Sequence, residues 1–181
     1  RWLYRPFMIS LFTSSTGTLI ALFMTTTFAY VLTRRDMPGR NILMYMALLT
    51  MIFRGGMIPL FLVVKNLKMY NTLWAVLIPT CINTYYLILL RNFFSSIPSS
   101  IIESAEIEGC SPFQVYYMIV LPLSKASLAA IGLFYVVQYW NEFFRYVIYI
   151  RDRSLWNFQT VLRSLVLESD TIQGVTYDIS F

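Results

Sequence analysis

Four long stretches of the chain contain few or no charged side chains, and short polar segments separate them. Each stretch exceeds the roughly 20 residues that a helix needs to cross a hydrocarbon core of about 30 Å. Because lipid offers no partner to an open backbone polar group, the pattern predicts transmembrane helices. The alternative, the buried core of a soluble all-α protein, fits four such segments in succession poorly. The predicted spans A to D cover residues 7–32, 41–64, 69–90 and 126–150.

Polar residues and helix breakers mark the first three spans. Span A is rich in Ser and Thr, which favour close packing of membrane helices and could alternatively line a pore. Span B is broken by the Arg-Gly-Gly run 54–56 and by Pro59, and backbone freed there needs neighbours or water as partners. Arg54 is expected to face the protein interior, because a charge in lipid is costly. Span C contains Pro79 and the polar pair Asn83-Thr84.

Span D carries a stripe of polar side chains at positions i, i+3, i+4, i+7 and i+11, which share one face of a helix. On a membrane helix, such a face points to a bundle interior or to a water-filled path. The alternative is a neutralised structural pair between Glu142 and Arg145, and the two interpretations are compatible. Beyond the span, residues 158–166 have the spacing of an amphipathic helix at an interface. The stripe consists of Gln138, Asn141, Glu142, Arg145 and Tyr149.

An acidic, sharply punctuated segment, residues 96–122, separates spans C and D and is called the elbow here. A capping-box pattern over 100–103 predicts a helix that runs through Glu108 and stops at Gly109, a typical C′ residue. A second helix start follows at 111–114, and this helix is predicted to break at Pro122. Because acidic side chains are costly in lipid, the elbow is predicted to be interfacial or exposed to solvent.

Composition supports a membrane protein and excludes several kinds of chemistry. The 181 residues are 57% hydrophobic and 13% charged, with a mean hydropathy of +0.61, whereas a soluble domain is about 25% charged. The net charge of +5 includes no basic run, so nucleic-acid binding has little support. With no histidine, His-based metal sites and general-base triads are excluded, and Cys81 and Cys110 provide no disulfide framework. The chain also lacks a G-x-x-x-x-G-K-[ST] loop for binding ATP phosphates.

Six residues of the elbow have the spacing of a known transporter motif. They meet the pattern E-x-A-x-x-x-G, nine residues, then I-x-L-P, which resembles the EAA motif of permease subunits in bacterial ABC importers. Ser104 stands where the full family pattern has alanine. Segments 34–40, 55–59, 90–94, 96–98 and 140–144 are similar to signatures of the carbohydrate-uptake branch, in the subunit related to the second maltose-permease subunit. The six residues are Glu103, Ala105, Gly109, Ile119, Leu121 and Pro122.

The resemblance implies an all-α, multi-pass transmembrane bundle of the type I ABC importer permease fold, in the bacterial cytoplasmic (inner) membrane. Such subunits usually have six spans. Residues 1–181 are therefore expected to be a single transmembrane permease domain that lacks one span at each end, and no signal-peptide pattern precedes span A. Charge does not decide the orientation. A cytoplasmic elbow places loop 34–40 on its side, as the positive-inside rule requires, but leaves Lys65, Lys68, Arg151 and Arg153 outside.

The resemblance also implies that the first helix of the elbow is a coupling helix, which docks on a separate ATP-hydrolysing subunit. Ile97, Ile101 and Ala105 would form an apolar stripe for its groove. Glu103 and Glu106 would pair with cations on that partner, and glycine would permit a close backbone approach. The alternative is that the acids are simply a solvated face. The residues predicted for coupling are Ile101, Glu103, Ser104, Ala105, Glu106, Glu108, Gly109 and Pro122.

Together these features predict a permease subunit of an ATP-driven sugar importer, not an enzyme. It would pair with a homologous permease subunit as a heterodimer, with two ATP-binding cassette subunits and with an extracytoplasmic solute-binding protein. ATP and Mg would lie on the partner, and this chain would hold no cofactor. The alternatives are a permease for another solute, such as peptide, and a non-transporting scaffold or intramembrane enzyme. Residues predicted to line the path for the oligosaccharide are Arg54, Gly55, Gly56, Asn83, Gln138, Asn141, Glu142 and Arg145.

Two cations on this predicted path suggest the charge of the substrate. Related permeases more often carry a neutral residue at the position of Arg54, and Arg145 belongs to the stripe of span D. Two positive charges near a path favour an anionic solute. The sequence therefore predicts an acidic oligosaccharide, such as a fragment of a uronate polymer.

Overall fold

The structure, a computed structural model, describes residues 3–34, 36–53 and 55–167. These residues are mainly helical and contain no strand. A 3₁₀ turn, Ile78–Thr80, follows α4, a π-helical segment, Tyr116–Val120, joins α7 to α8, and a second 3₁₀ turn covers Arg153–Leu155. The α-helices are α1 Tyr4–Thr33, α2 Arg40–Ile52, α3 Met57–Asn66, α4 Trp74–Leu77, α5 Thr84–Ser95, α6 Ser99–Ile107, α7 Pro112–Val115, α8 Leu121–Leu123, α9 Lys125–Trp140, α10 Phe144–Tyr149 and α11 Phe158–Leu167.

One helix, α1, is long and apolar enough to cross a membrane without a break, with 30 residues. Three pairs of consecutive helical segments pass the same test of length and composition if each pair is a single span: Arg40–Ile52 with Met57–Asn66, Trp74–Thr80 with Thr84–Ser95, and Pro112–Leu123 with Lys125–Trp140. The part of the chain that the structure describes therefore holds up to four spans, and the last, over 112–140, begins inside the predicted elbow rather than at residue 126.

Span B breaks at the predicted glycines but not at its proline. Helix α2 has Phe53 as its C-cap, and α3 begins at Met57. Between them, Gly56 adopts a left-handed backbone with φ of +82°. Pro59 is the third residue of α3, so its missing N–H removes no bond within the helix, and the predicted break there is wrong. Arg54 lies outside the described residues.

Span C is interrupted, which the sequence did not predict. Helix α4 passes into the 3₁₀ turn, which contains Pro79, and α5 begins only after residues 81–83. Asn83 is the N-cap of α5, because its Oδ1 accepts a hydrogen bond from the Tyr85 N–H at 2.9 Å. The helix then continues to Ser95 rather than ending at Leu90.

Span D is also interrupted. Helix α9 ends at Trp140 and α10 begins at Phe144, so residues 141–143 are not helical. The predicted single helical face from Gln138 to Tyr149 is therefore wrong. A helix after the span is confirmed as α11, and its amphipathic character at an interface stays a prediction.

Backbone contacts divide the chain into two compact units. The first comprises Arg1–Gly17, Met57–Pro79 and Val136–Phe181. Its core contains Val64, Ala75, Val76, Tyr146, Tyr149 and Ile150. Gly17 permits close packing in this unit, because a Cβ there would lie 2.9 Å from side-chain atoms of Leu77 and Tyr139.

The second unit comprises Thr18–Gly56 and Thr80–Tyr135, and buried hydroxyl groups bond its helices together. Thr25 Oγ1 lies 2.8 Å from the Tyr135 hydroxyl, and Thr26 Oγ1 lies 2.8 Å from the Tyr116 hydroxyl. The Tyr135 oxygen also accepts a hydrogen bond from the Asn83 N–H at 3.2 Å, where span C is interrupted. At these positions, the hydroxyl groups of span A serve helix packing, as predicted.

We expect Tyr135→Phe to lower the stability of the protein in detergent by about 0.6–1.7 kcal/mol, because the Asn83 N–H and the Thr25 hydroxyl both lose a hydrogen bond to the Tyr135 oxygen. Thermal unfolding in detergent micelles measures the change. Tyr117→Phe is the matched control, because Tyr117 is 65% exposed. Equal losses in the two variants would contradict the role given to this hydroxyl.

Candidate functional site: the elbow and the polar breaks

Helix α6 ends in a Schellman motif, as its glycine predicts. Glu108 is the C-cap, and Gly109 adopts a φ of +87°. The Gly109 N–H donates to the Glu106 carbonyl and the Cys110 N–H donates to the Ala105 carbonyl, both at 3.0 Å. A Cβ on Gly109 would meet no atom within 4 Å, so within the chain this residue provides a left-handed backbone rather than room for close packing.

The two predicted capping boxes have different outcomes. The one over 100–103 is wrong: α6 begins at Ser99 after Pro98, and no side chain caps it. The second is confirmed. The Gln114 N–H donates to Ser111 Oγ at 3.4 Å, and the Ser111 N–H donates to Gln114 Oε1 at 2.7 Å.

The second helix of the elbow ends at Leu123, one residue after the predicted break at Pro122. The helix widens into the π-helical segment just before the proline and continues to Leu123. It then bends by 81° into α9 at Ser124. In the widened turn, the backbone hydrogen bonds follow the π-helical rather than the α-helical pattern. The turn lies just before Pro122, which has no N–H to donate.

The outward face of α6 differs from the predicted apolar stripe. Ala105 is only 7% exposed and therefore packs inside the chain, so the prediction that it faces a groove is wrong. Glu103 and Ser104 are exposed, and Ile107 is 87% exposed. Ile107 was missed from the sequence, although it follows Ala105 by two residues and so lies on nearly the opposite face of the helix. Ile101 lies at the edge and is 41% exposed.

One acid of the elbow has a partner within the chain. Arg34 Nη1 donates to Glu106 Oε1, and Arg34 Nη2 donates to Asp36 Oδ2 at 2.9 Å. The bond to Glu106 raises the pKa of the Arg34 guanidinium above its ordinary value. Glu106 was predicted to pair with a cation on another protein, and here its partner is Arg34. Glu103 and Glu108 form no ion pair with any residue that the structure describes.

A polar cavity of about 530 Å³ lies beside α6. Arginine and acidic side chains line it together, so the inner side of the elbow is not a lipid-facing surface. Arg91 contributes an Nε atom that is buried without a hydrogen-bond partner among the described residues. The charged residues around the cavity are Arg34, Asp36, Arg40, Arg91, Glu103 and Glu106.

In the first unit, the polar residues predicted for a substrate path cluster at the break between α9 and α10. Asn141 donates its Nδ2 to the Val137 carbonyl at 2.9 Å, and Gln138 is half-buried on α9. Arg145 Nη1 lies 2.5 Å from Glu142 Oε2, and the Arg145 N–H donates to Glu142 Oε1 at 3.1 Å. Glu142 and Arg145 therefore form the neutralised pair that the sequence offered as an alternative.

In the second unit, the predicted path residues are Gly55, Gly56 and Asn83. Both glycines are exposed in the segment between α2 and α3. Asn83 has a clear structural role as the N-cap of α5. A function for these three residues in solute passage stays a prediction.

Comparison with known proteins gives matches over most of the chain. A family model described as "Binding-protein-dependent transport system inner membrane component" matches residues 17–145. The polygalacturonan/rhamnogalacturonan transport system permease protein YtcP of Bacillus subtilis (strain 168) is 45% identical over 172 residues, which are 95% of this chain and 60% of that protein. Protein LplC of the same strain is 45% identical over 166 residues, 92% of this chain and 56% of that protein.

A solved structure also resembles the chain. It is the crystal structure of a bacterial ABC transporter involved in the import of the acidic polysaccharide alginate. The TM-score is 0.90 at 27% sequence identity, and the match covers 93% of this chain and 60% of that chain. The chain thus spans about three fifths of the length of the proteins that it matches.

Gly109→Ala is expected to loosen the end of α6, because a left-handed backbone costs a non-glycine residue about 1 kcal/mol, which corresponds to roughly fivefold faster local opening. Gly109→Asn should have a smaller effect, since asparagine tolerates this conformation. Amide hydrogen exchange along α6 measures the difference. Ser104→Ala is the control within the same helix. Exchange that is unchanged in Gly109→Ala would refute this role of the glycine.

Proposed function

This chain belongs to the family of binding-protein-dependent transport system inner membrane components, and on that premise we propose that it is a permease subunit of an ATP-driven importer of acidic oligosaccharides. It works with a homologous permease subunit, two ATP-binding cassette subunits and an extracytoplasmic solute-binding protein. ATP and Mg are held by the cassette subunits. The chain forms part of the path through the inner membrane and performs no catalysis itself.

The observation that carries this proposal is the elbow. Its first helix is exposed along one face, and that face presents Ile107 between Glu103 and Ser104. Phe113, at the start of the second helix, is 72% exposed. An apolar side chain beside Glu103, which forms no ion pair among the described residues, is suited to a groove on a partner protein when a short helix holds both.

The acidic substrate is supported by one cation of the chain and by two compared proteins. Arg145 is paired with Glu142, so its charge is neutralised. Arg54 is therefore the cation that would favour an anionic solute. The name of one relative includes polygalacturonan, and the structural neighbour imports the acidic polysaccharide alginate. We therefore propose oligosaccharides with carboxylate groups as the solute.

Ile107→Asp in the full-length permease is expected to reduce retention of the ATPase subunit during co-purification more than about fivefold, because truncating a central apolar contact typically costs over 1 kcal/mol. Leu67→Asp is the matched control: Leu67 is 64% exposed and follows α3, away from the elbow in sequence. If both variants keep the ATPase subunit as the wild type does, the docking role of Ile107 is wrong.

Uptake assays test the substrate. Cells that carry the complete transporter should take up labelled trigalacturonate in preference to a neutral trisaccharide. Arg54→Gln should weaken trigalacturonate uptake by up to about fivefold, the effect of losing one ion pair worth about 1 kcal/mol. Uptake of a neutral trisaccharide should not change, and Arg151→Gln in an exposed loop is the control. A preference for the neutral sugar, with Arg54→Gln harmless, would eliminate the acidic substrate.

A further inference from the structure

We propose that the Arg34–Glu106 ion pair tethers α6 to the end of α1, which makes Arg34 a positioning residue for the transmission of movement from the ATPase subunit to the membrane. The inference rests on the proposed function, and it concerns how the elbow is connected rather than where it docks. It gives the loop after span A a function in coupling. It also means that Glu106 is not available to pair with a cation on a partner.

The two residues belong to elements that are far apart in sequence. Arg34 immediately follows the last residue of α1, and Glu106 lies in the last turn of α6. Within residues 3–34, 36–53 and 55–167, this ion pair is the one that joins α6 to another part of the chain. Because α1 is one unbroken helix of 30 residues, a displacement applied at Arg34 acts on a whole span.

The other helix of the elbow is attached to α1 by neutral contacts. The Tyr30 hydroxyl donates to the Pro112 carbonyl at 2.9 Å, and the rings of Tyr30 and Tyr116 lie 5.1 Å apart between centroids. The Tyr116 hydroxyl lies 2.8 Å from Thr26 Oγ1. Both tyrosines are buried, so the segment from Pro112 to Tyr116 is fixed to the last two turns of α1.

The turn at Gly109 separates these two attachments. On one side, residues 112–116 are held by buried hydrogen bonds and ring contacts. On the other side, α6 is held by a charged pair in which the side chains of Arg34 and Glu106 are 22% and 39% exposed. Without the charged pair, α6 would retain its packing around Ala105 and its chain connections to α5 and α7, and could pivot about the turn. The ion pair therefore fixes the direction in which α6 transmits movement of the ATPase subunit to α1.

A purely structural role is the competing explanation, and it predicts a different result. Partly exposed ion pairs contribute little to folding stability and are screened by salt. Loss of this pair should therefore leave the subunit folded and assembled, while less of the movement of the ATPase subunit reaches α1. The sensitive quantity is the number of oligosaccharide molecules imported per ATP hydrolysed.

The experiment uses the full-length permease assembled with its partner subunits in proteoliposomes. Arg34→Gln and Glu106→Gln are expected to lower the import-to-hydrolysis ratio about two- to fivefold, with the ATPase subunit still bound. The exchange of charges, Arg34→Glu with Glu106→Arg, should restore at least half of the loss when Asp36→Asn removes the carboxylate beside position 34. Arg40→Gln is the matched control, since Arg40 lines the same cavity and forms no ion pair among the described residues.

Salt provides a second comparison. Raising the ionic strength should lower the ratio more in the wild type than in Arg34→Gln, because only the wild type has this pair to screen. A wild-type ratio in Arg34→Gln, or no restoration by the exchanged charges, would overturn the tether.

Hydrogen exchange distinguishes failure of the tether from failure of the proposed function. If the wild type imports no oligosaccharide, the proposed function fails. The hydrogen-exchange rates of the α6 amides still test whether the ion pair holds α6. These amides should exchange faster in Arg34→Gln than in the wild type or in Arg40→Gln. Equal exchange in all three proteins would overturn the tether independently of transport.

Discussion

Every interruption of a membrane-spanning helix frees peptide N–H and C=O groups that lipid cannot hydrogen-bond. In this chain, tyrosine hydroxyls and asparagine amides provide partners at such points. The Tyr135 hydroxyl accepts from the Asn83 N–H, and the Tyr139 hydroxyl donates to the Leu77 carbonyl at 3.2 Å. The Asn157 amide donates to the Glu142 carbonyl at 2.5 Å. The interrupted helices depend on these bonds, which explains why polar side chains recur in otherwise apolar segments.

The features that the sequence predicted correctly depend on residues that lie close together in the chain. Local residue patterns were sufficient to predict the long span α1, the break at Gly56, the end of α6 at Gly109 and the capping box at Ser111. The EAA-like spacing was sufficient for the family and for the type I permease fold, and both predictions are confirmed. These features depend on local backbone preference or on a short motif, and neither needs knowledge of distant partners.

Features that depend on distant partners were missed. The polar run after Trp140 was predicted as helix, because its spacing fits one helix face. In the structure, Asn157, which is fully buried and fifteen residues further on, binds the Glu142 carbonyl and supports a break. The Arg34–Glu106 contact likewise spans 72 residues of sequence. Pro59 was misread for a related reason: a proline in the first turn of a helix leaves that helix intact.

The exposed side chain of Ile107 has a consequence for the biogenesis of the assembly. In the proposed solvent-side position of α6, an apolar side chain that is 87% exposed is energetically unfavourable in water until the proposed partner covers it. Under the proposed function, a subunit made in excess of its ATPase would leave Ile107 and Phe113 uncovered, and exposed apolar surface promotes aggregation. Balanced synthesis of the subunits, or rapid proteolysis of unassembled copies, would therefore protect the membrane from orphan permeases.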